Sequence, residues 1–132
     1  MKKKGLNANQ LGALEGQVMR VLWDIHEGAV QDVSTRLDTG KNLAYTTVMT
    51  VLGRLVEKGF LSREKRGRAY VYRPTVSQQS IADSALQLVV DRFFDGVSTR
   101  AVAHLLGAAE DVDEQELRRL ESAVRAKRKG KR

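Results

Sequence analysis

The chain has 132 residues, 42% of them apolar, no cysteine and a formal net charge of +7. This length suits one compact domain plus an appendage, and the apolar fraction supports a core, which excludes wholesale disorder. The lack of cysteine excludes disulfides, thiolate metal sites and cysteine nucleophiles, and no apolar run reaches the length of a membrane span.

The charge is unevenly placed. Residues 1–75 carry 13 Lys and Arg against 7 Asp and Glu, residues 76–124 carry 4 against 9, and residues 125–132 are basic without an acid. A basic first half suits a polyanion. An acidic middle does not, and suggests self-association. Met1-Lys-Lys-Lys4 has the charge of a signal-peptide start, but Gly5–Gln10 is polar where an apolar stretch is required. A cytoplasmic protein is expected.

Leu11, Leu14, Val18, Val21, Leu22 and Ile25 recur at three- and four-residue intervals and predict an amphipathic helix over 10–26, ended by Gly28. His26 sits at its end, where the helix dipole favours it. Trp23 reads as core. Val30, Val33 and Leu37 mark a short second helix closed by Asp38-Thr-Gly40. A third helix follows, with Asn42 as N-cap and Gly59 just past its end. Its buried stripe is Val48, Val51, Leu52, Leu55 and Val56; Tyr45, Thr46, Thr50, Gly53 and Arg54 fall on the other side. Two short strands, Phe60–Glu64 and Ala69–Arg73, flank the turn Lys65-Arg-Gly-Arg68, and Pro74 stops the second. Helix–helix–helix–strand–strand is the order of a winged helix-turn-helix.

Beyond Pro74, residues 76–94 are helical and apolar on more than one side. Ile81, Ala85 and Leu88 lie on one face, with Ala82, Leu86, Val89 and Phe93 on another. Such a helix must be covered all round, and a second copy of the chain is the expected cover, with Ile81, Ala85, Leu86, Leu88, Val89 and Phe93 at the dimer contact. Asp95–Ser98 makes a turn. Thr99–Leu106 and Asp113–Lys127 are two further helices, and 128–132 a basic disordered tail. The organisation expected is a mainly α fold with a small β-hairpin: a winged-helix domain over 1–75 and a helical dimerisation region over 76–127.

A helix in the major groove needs short polar side chains that approach base edges. Thr46, Thr47 and Thr50 fit, Tyr45 reaches a base edge or phosphate, and Arg54 points along the same side. Threonines are poor helix formers, so exposure alone does not explain their clustering at a helix start. In the hairpin, Arg63, Lys65, Arg66, Arg68 and Arg73 face only Glu64 in sequence, a surplus that favours phosphate; Arg68 alternatively enters the minor groove. Tyr72 is read as core. His26 and His104 are far apart and, without cysteine, make a poor metal site; Asp111–Glu116 is explained by a helix start. No phosphate-binding glycine loop or nucleophile motif occurs. Neither an enzyme, a cofactor nor a metal is expected.

Several ordered blocks carry a resemblance: Leu14-Glu-Gly-Gln-Val-Met-Arg-Val-Leu-Trp23, Asp32-Val33, Ala44-Tyr-Thr-Thr-Val-Met-Thr-Val-Leu-Gly-Arg-Leu55, Lys58-Gly59 and Gly67-Arg-Ala-Tyr-Val-Tyr-Arg-Pro74. Through them the chain resembles the BlaI/MecI/CopY family of bacterial transcriptional repressors, more loosely so after residue 75. The resemblance implies a homodimer on a near-palindromic duplex operator. It puts the recognition helix at Ala44–Lys58, with Tyr45, Thr46, Thr47, Thr50 and Arg54 as contact candidates and Arg68 in the wing. The cysteine motif of copper-responsive members is missing. Proteolytic release in other members occurs at an Asn-Phe pair, which aligns here with His104-Leu105, so the resemblance offers a regulatory protease as a partner but not its scissile pair. The competing readings are a basic, non-specific nucleic-acid-binding protein and a protein-interaction module.

Overall fold

The computed structural model describes residues 5–37 and 43–130. Six α-helices and one two-stranded antiparallel sheet occur in the order α1 (Ala13–Ile25), α2 (Val30–Arg36), α3 (Tyr45–Lys58), β1 (Leu61–Arg66), β2 (Ala69–Pro74), α4 (Gln78–Phe93), α5 (Ser98–Ala108) and α6 (Glu114–Gly130). A 3-10 turn, Ala8–Gln10, precedes them.

The apolar stripes of the first three helices meet in one core. Val18, Met19 and Leu22 of α1, Val30 and Val33 of α2, and Val48, Val51, Leu52 and Leu55 of α3 close around Phe60. Tyr72 joins them at 2% exposure, as expected of it. Trp23 is half-buried, and its indole N–H donates to the Val76 carbonyl at 2.9 Å. The third helix ends where glycine predicts. Gly59 sits at φ 92°, the Phe60 N–H bonds the Leu55 carbonyl and the Gly59 N–H bonds that of Val56, the paired closure of a Schellman motif.

Several expected boundaries differ, three of them among the helices. The first helix stops at Ile25, and His26 rather than Gly28 takes the left-handed position, at φ 76°. Gly28 is needed for close approach instead: a Cβ there would lie 2.9 Å from Ile25 Cδ1 and 3.2 Å from Asp32 Cβ. The N-cap of α3 is Ala44, so the helix begins later than Asn42, which with Asp38–Gly40 lies outside the described residues. Helix α6 continues to Gly130, through Arg128 and Lys129. Good helix formers at the negative end of a helix dipole prolong it.

Nor does the core end at residue 75. Val76 and Ile81 pack against it, and the Ser84 hydroxyl accepts from the Ala8 N–H at 3.0 Å. Ile81, expected at a dimer contact, is thus seated against its own chain at 7% exposure, because its end of α4 lies under the 3-10 turn. Ala85 and Leu88 are half-buried, whereas Leu86, Val89 and Phe93 are exposed, Phe93 at 74%. Val102, Leu105 and Leu106 on α5 and Leu117, Leu120 and Val124 on α6 are also exposed. Among the described residues of one chain nothing covers this apolar surface.

Candidate nucleic-acid interface

With Val48, Val51, Leu52 and Leu55 turned inward, helical geometry turns Thr46, Thr50 and Gly53 outward, flanked by Tyr45, Met49 and Arg54. All three threonines are exposed, and Tyr45 is 50% exposed. The Thr50 hydroxyl donates to the Thr46 carbonyl at 2.9 Å. Its proton is thereby used within the helix, and it offers acceptor lone pairs and a methyl group outward. Such a surface suits base amino groups and a thymine methyl.

Sequence reasoning did not name Met49 on this face, and it placed Gly53 there without giving it a role. Met49 is exposed beside the threonines. Gly53 lies mid-helix, where glycine costs roughly 0.5–1 kcal/mol relative to alanine. A Cβ at Gly53 would meet nothing within 4 Å, so packing within the chain does not require it. The signal was present, since a glycine in a helix interior needs a reason, and close approach of another molecule is one.

The base of α3 is anchored by Lys58. Its ammonium contacts Glu15 Oε1 at 2.7 Å and donates to the Gln10 carbonyl at 2.8 Å. Glu15 is only 5% exposed, and its Oε1 also accepts from the Gly12 N–H. Burial pushes the Glu15 carboxyl up, but the Gly12 N–H, Lys58 and the nearby Arg54 outweigh it and hold the carboxyl below its ordinary value.

In the hairpin, Arg66 pairs with Ala69, leaving Gly67-Arg68 as a two-residue loop with Gly67 at φ 63°. Glycine at the first central position satisfies the left-handed requirement of such a turn. Lys65 and Arg66 therefore stand on the strand rather than in the loop. Arg63 lies over the Tyr70 ring, 4.4 Å from its centroid, so the exposed Tyr70 is a platform for a cation and not part of the core.

The hairpin cations do not face Glu64 alone. Glu27, from the turn after α1, bonds Arg66 Nη1 at 2.8 Å and Arg73 Nη2 at 2.6 Å. These bonds, to Arg66 foremost and then to Arg73, hold the Glu27 carboxyl down at about 2. Local sequence cannot reveal this: Glu27 is 39 and 46 residues from its partners. Lys65, Arg68 and Arg54 are exposed.

His104 and Leu105 lie within α5, exposed, with the His104 ring 5.8 Å from that of Phe94. No helix among the described residues is long and apolar enough to cross a membrane.

A family model described as penicillinase repressor matches residues 11–126. The penicillinase repressor of Bacillus licheniformis is 28% identical over 97 residues, 74% of this chain and 76% of that one. The transcriptional regulator BlaI of Mycobacterium tuberculosis is 44% identical over 66 residues, 49% of this chain and 48% of its own length. The chain spans about half the length of two of the relatives it matches. A chain in the complex structure of hsRosR-S4 superposes with a TM-score of 0.53 at 19% identity, over 76% of this chain and 90% of that one, a likeness of fold alone.

Proposed function

Since the chain belongs to the penicillinase repressor family, we propose that it is a DNA-binding transcriptional repressor that reads a near-palindromic operator as a homodimer. The observation that carries this reading is the open hydroxyl face of α3, Thr46 and Thr50 with Thr47 and Tyr45 beside them, next in sequence to a cationic hairpin. The threonines and Tyr45 contact base edges, Arg54 a phosphate or guanine, and Lys65 and Arg68 the backbone. The exposed apolar residues of α4, α5 and α6 meet their copies in the partner, which sets two reading helices in successive major grooves on one side of the duplex.

Repression is by occlusion, and asks no catalysis of the chain. Joining the two heads raises the effective concentration of the second at its half-site, so a signal that opens the dimer releases the DNA. Proteolysis is one such signal, and His104-Leu105 is the position that aligns with the cleaved pair of other members, although the pair itself differs. Because that pair is helical, a protease that needs an extended substrate must first unwind part of α5. A DNA partner places the protein in the cytoplasm.

The test is selection from random genomic duplex fragments at near-physiological salt, followed by sequencing. An inverted repeat is expected. Thr46→Ala then reduces discrimination between sites, whereas Lys65→Ala weakens binding to all sequences and flattens the salt dependence. An unchanged motif and affinity in Thr46→Ala would remove α3 as the reading element.

A further inference from the structure

Two of the five hairpin arginines and lysines already have an anion, and it comes from their own chain. The Glu27 carboxylate is gripped on both oxygens: Oε2 by Arg66 Nη1 at 2.8 Å, Oε1 by Arg73 Nη2 at 2.6 Å and Nε at 3.2 Å. Its backbone position is set by the next residue. The Gly28 and Tyr72 N–H groups and carbonyls exchange two hydrogen bonds, which attach the turn after α1 to β2. Glu64 adds a second carboxylate to Arg66 at 2.9 Å. Lys65 and Arg68, by contrast, have no carboxylate partner among the described residues.

We propose that Glu27 is a specificity-determining positioning residue: it fixes the angle of the hairpin and withholds Arg66 and Arg73 from phosphate, so that binding depends on the face of α3 rather than on charge. The inference rests on the DNA-binding reading above. A phosphate must compete with Glu27 for these guanidinium N–H groups, because the carboxylate already engages donors of both arginines and its backbone is tied to β2 through Gly28. Each cation given to phosphate strengthens binding to every sequence alike, since it acts through counterion release with a log–log slope of roughly −0.9 per contact. Two cations withheld from phosphate therefore lower background binding without touching base readout.

The experiment measures binding of the full chain to a random-sequence duplex and to its selected duplex across a fourfold rise in salt, from about 50 to about 200 mM. Glu27→Gln keeps the side-chain shape and removes the charge. It is expected to bind the random duplex more tightly at low salt. Two added contacts make it lose about twelvefold more affinity than wild type over that range. Its ratio of selected to random affinity falls. In wild type, the double variant Arg66→Gln, Arg73→Gln leaves the slope unchanged; in the Glu27→Gln background the same pair restores the wild-type slope. A wild-type slope that flattens by about two on losing both arginines would make them phosphate ligands and overturn the proposal, as would a Glu27→Gln slope equal to wild type. Failure of the broader reading looks different: wild type then prefers no sequence, while the slopes on random duplex still report on Glu27.

Discussion

Gly28 and Tyr72 face each other across a pair of backbone hydrogen bonds, 3.0 Å from the Gly28 N–H to the Tyr72 carbonyl and 2.8 Å in return. The turn between α1 and α2 thus acts as a third rung beside the hairpin and ties the wing to the helical core. Tyr72 is buried on the far side of this contact, so packing and pairing hold the same residue.

Gly28→Ala is expected to destabilise the fold by about 1–3 kcal/mol, the usual cost of an added methyl in a filled space. The methyl would meet Ile25 and Asp32 at 2.9 and 3.2 Å. Urea unfolding checks this, and an unchanged midpoint would show that Ile25 swings aside freely.

Lys58→Met should destabilise in a pH-dependent way. In wild type the Glu15 carboxyl is held below its ordinary 4.5. Its contribution is therefore complete above about that pH and is lost as the pH falls through the folded-state value. Without Lys58 one of the causes that hold the carboxyl down is lost, the carboxyl rises toward or past its ordinary value, and the ionised form is favoured less in the folded state. The penalty then eases on acidification. A loss of about 1–3 kcal/mol is expected at neutral pH, less than for a fully buried pair because the lysine is partly exposed. The Tm gap from wild type should narrow toward about pH 4. A constant gap would place the lysine's role in packing alone.

Gly53→Ala separates folding from function. Adding a Cβ in open space removes the backbone-entropy cost of glycine and raises helix stability by roughly 0.5–1 kcal/mol. If the reading surface needs the close approach that glycine permits, operator affinity falls although Tm rises. Affinity rising together with Tm would mean that nothing approaches this position.

Phe93→Glu places a charge on the most exposed large apolar side chain of α4. Sedimentation velocity should show a dimer turned into a monomer, and operator affinity should drop at least tenfold as the linked second half-site is lost. Thermal unfolding of the winged-helix part should change little, because Phe93 is not in its core. A dimer that survives the substitution would move the contact to α5 and α6.

What the residues disclosed in order along the chain was whatever is written locally. The stripes of α1 and α3, the glycine end of α3 and the presence of a turn at Gly67 each depend on neighbours within one or two turns, so periodicity and turn chemistry expose them, although Lys65 and Arg66 belong to the strand and not to the expected four-residue turn. The exposed threonines followed from the same stripe by subtraction. Contacts across long sequence intervals were not legible. Nothing near Glu27 announces Arg66 and Arg73, nothing near Ser84 announces Ala8, and Ile81 looked like any other apolar residue on a helix greasy on several sides. Helix starts were also blurred, since Ala44 caps α3 without a side-chain hydrogen bond and leaves no chemical mark.

The short 3-10 turn at Ala8–Gln10 reaches two distant places at once: Ala8 grips Ser84 on α4, and the Gln10 carbonyl receives the ammonium of Lys58 at the foot of α3. In the proposed dimer it would be a strut between the reading head and the stem. A bulky fusion at the amino terminus would lean on that strut, and shearing it would let each head swivel on its stem. The penalty would appear not as a lost fold but as a blurred ruler, with the protein tolerating gaps between half-sites that the braced form rejects.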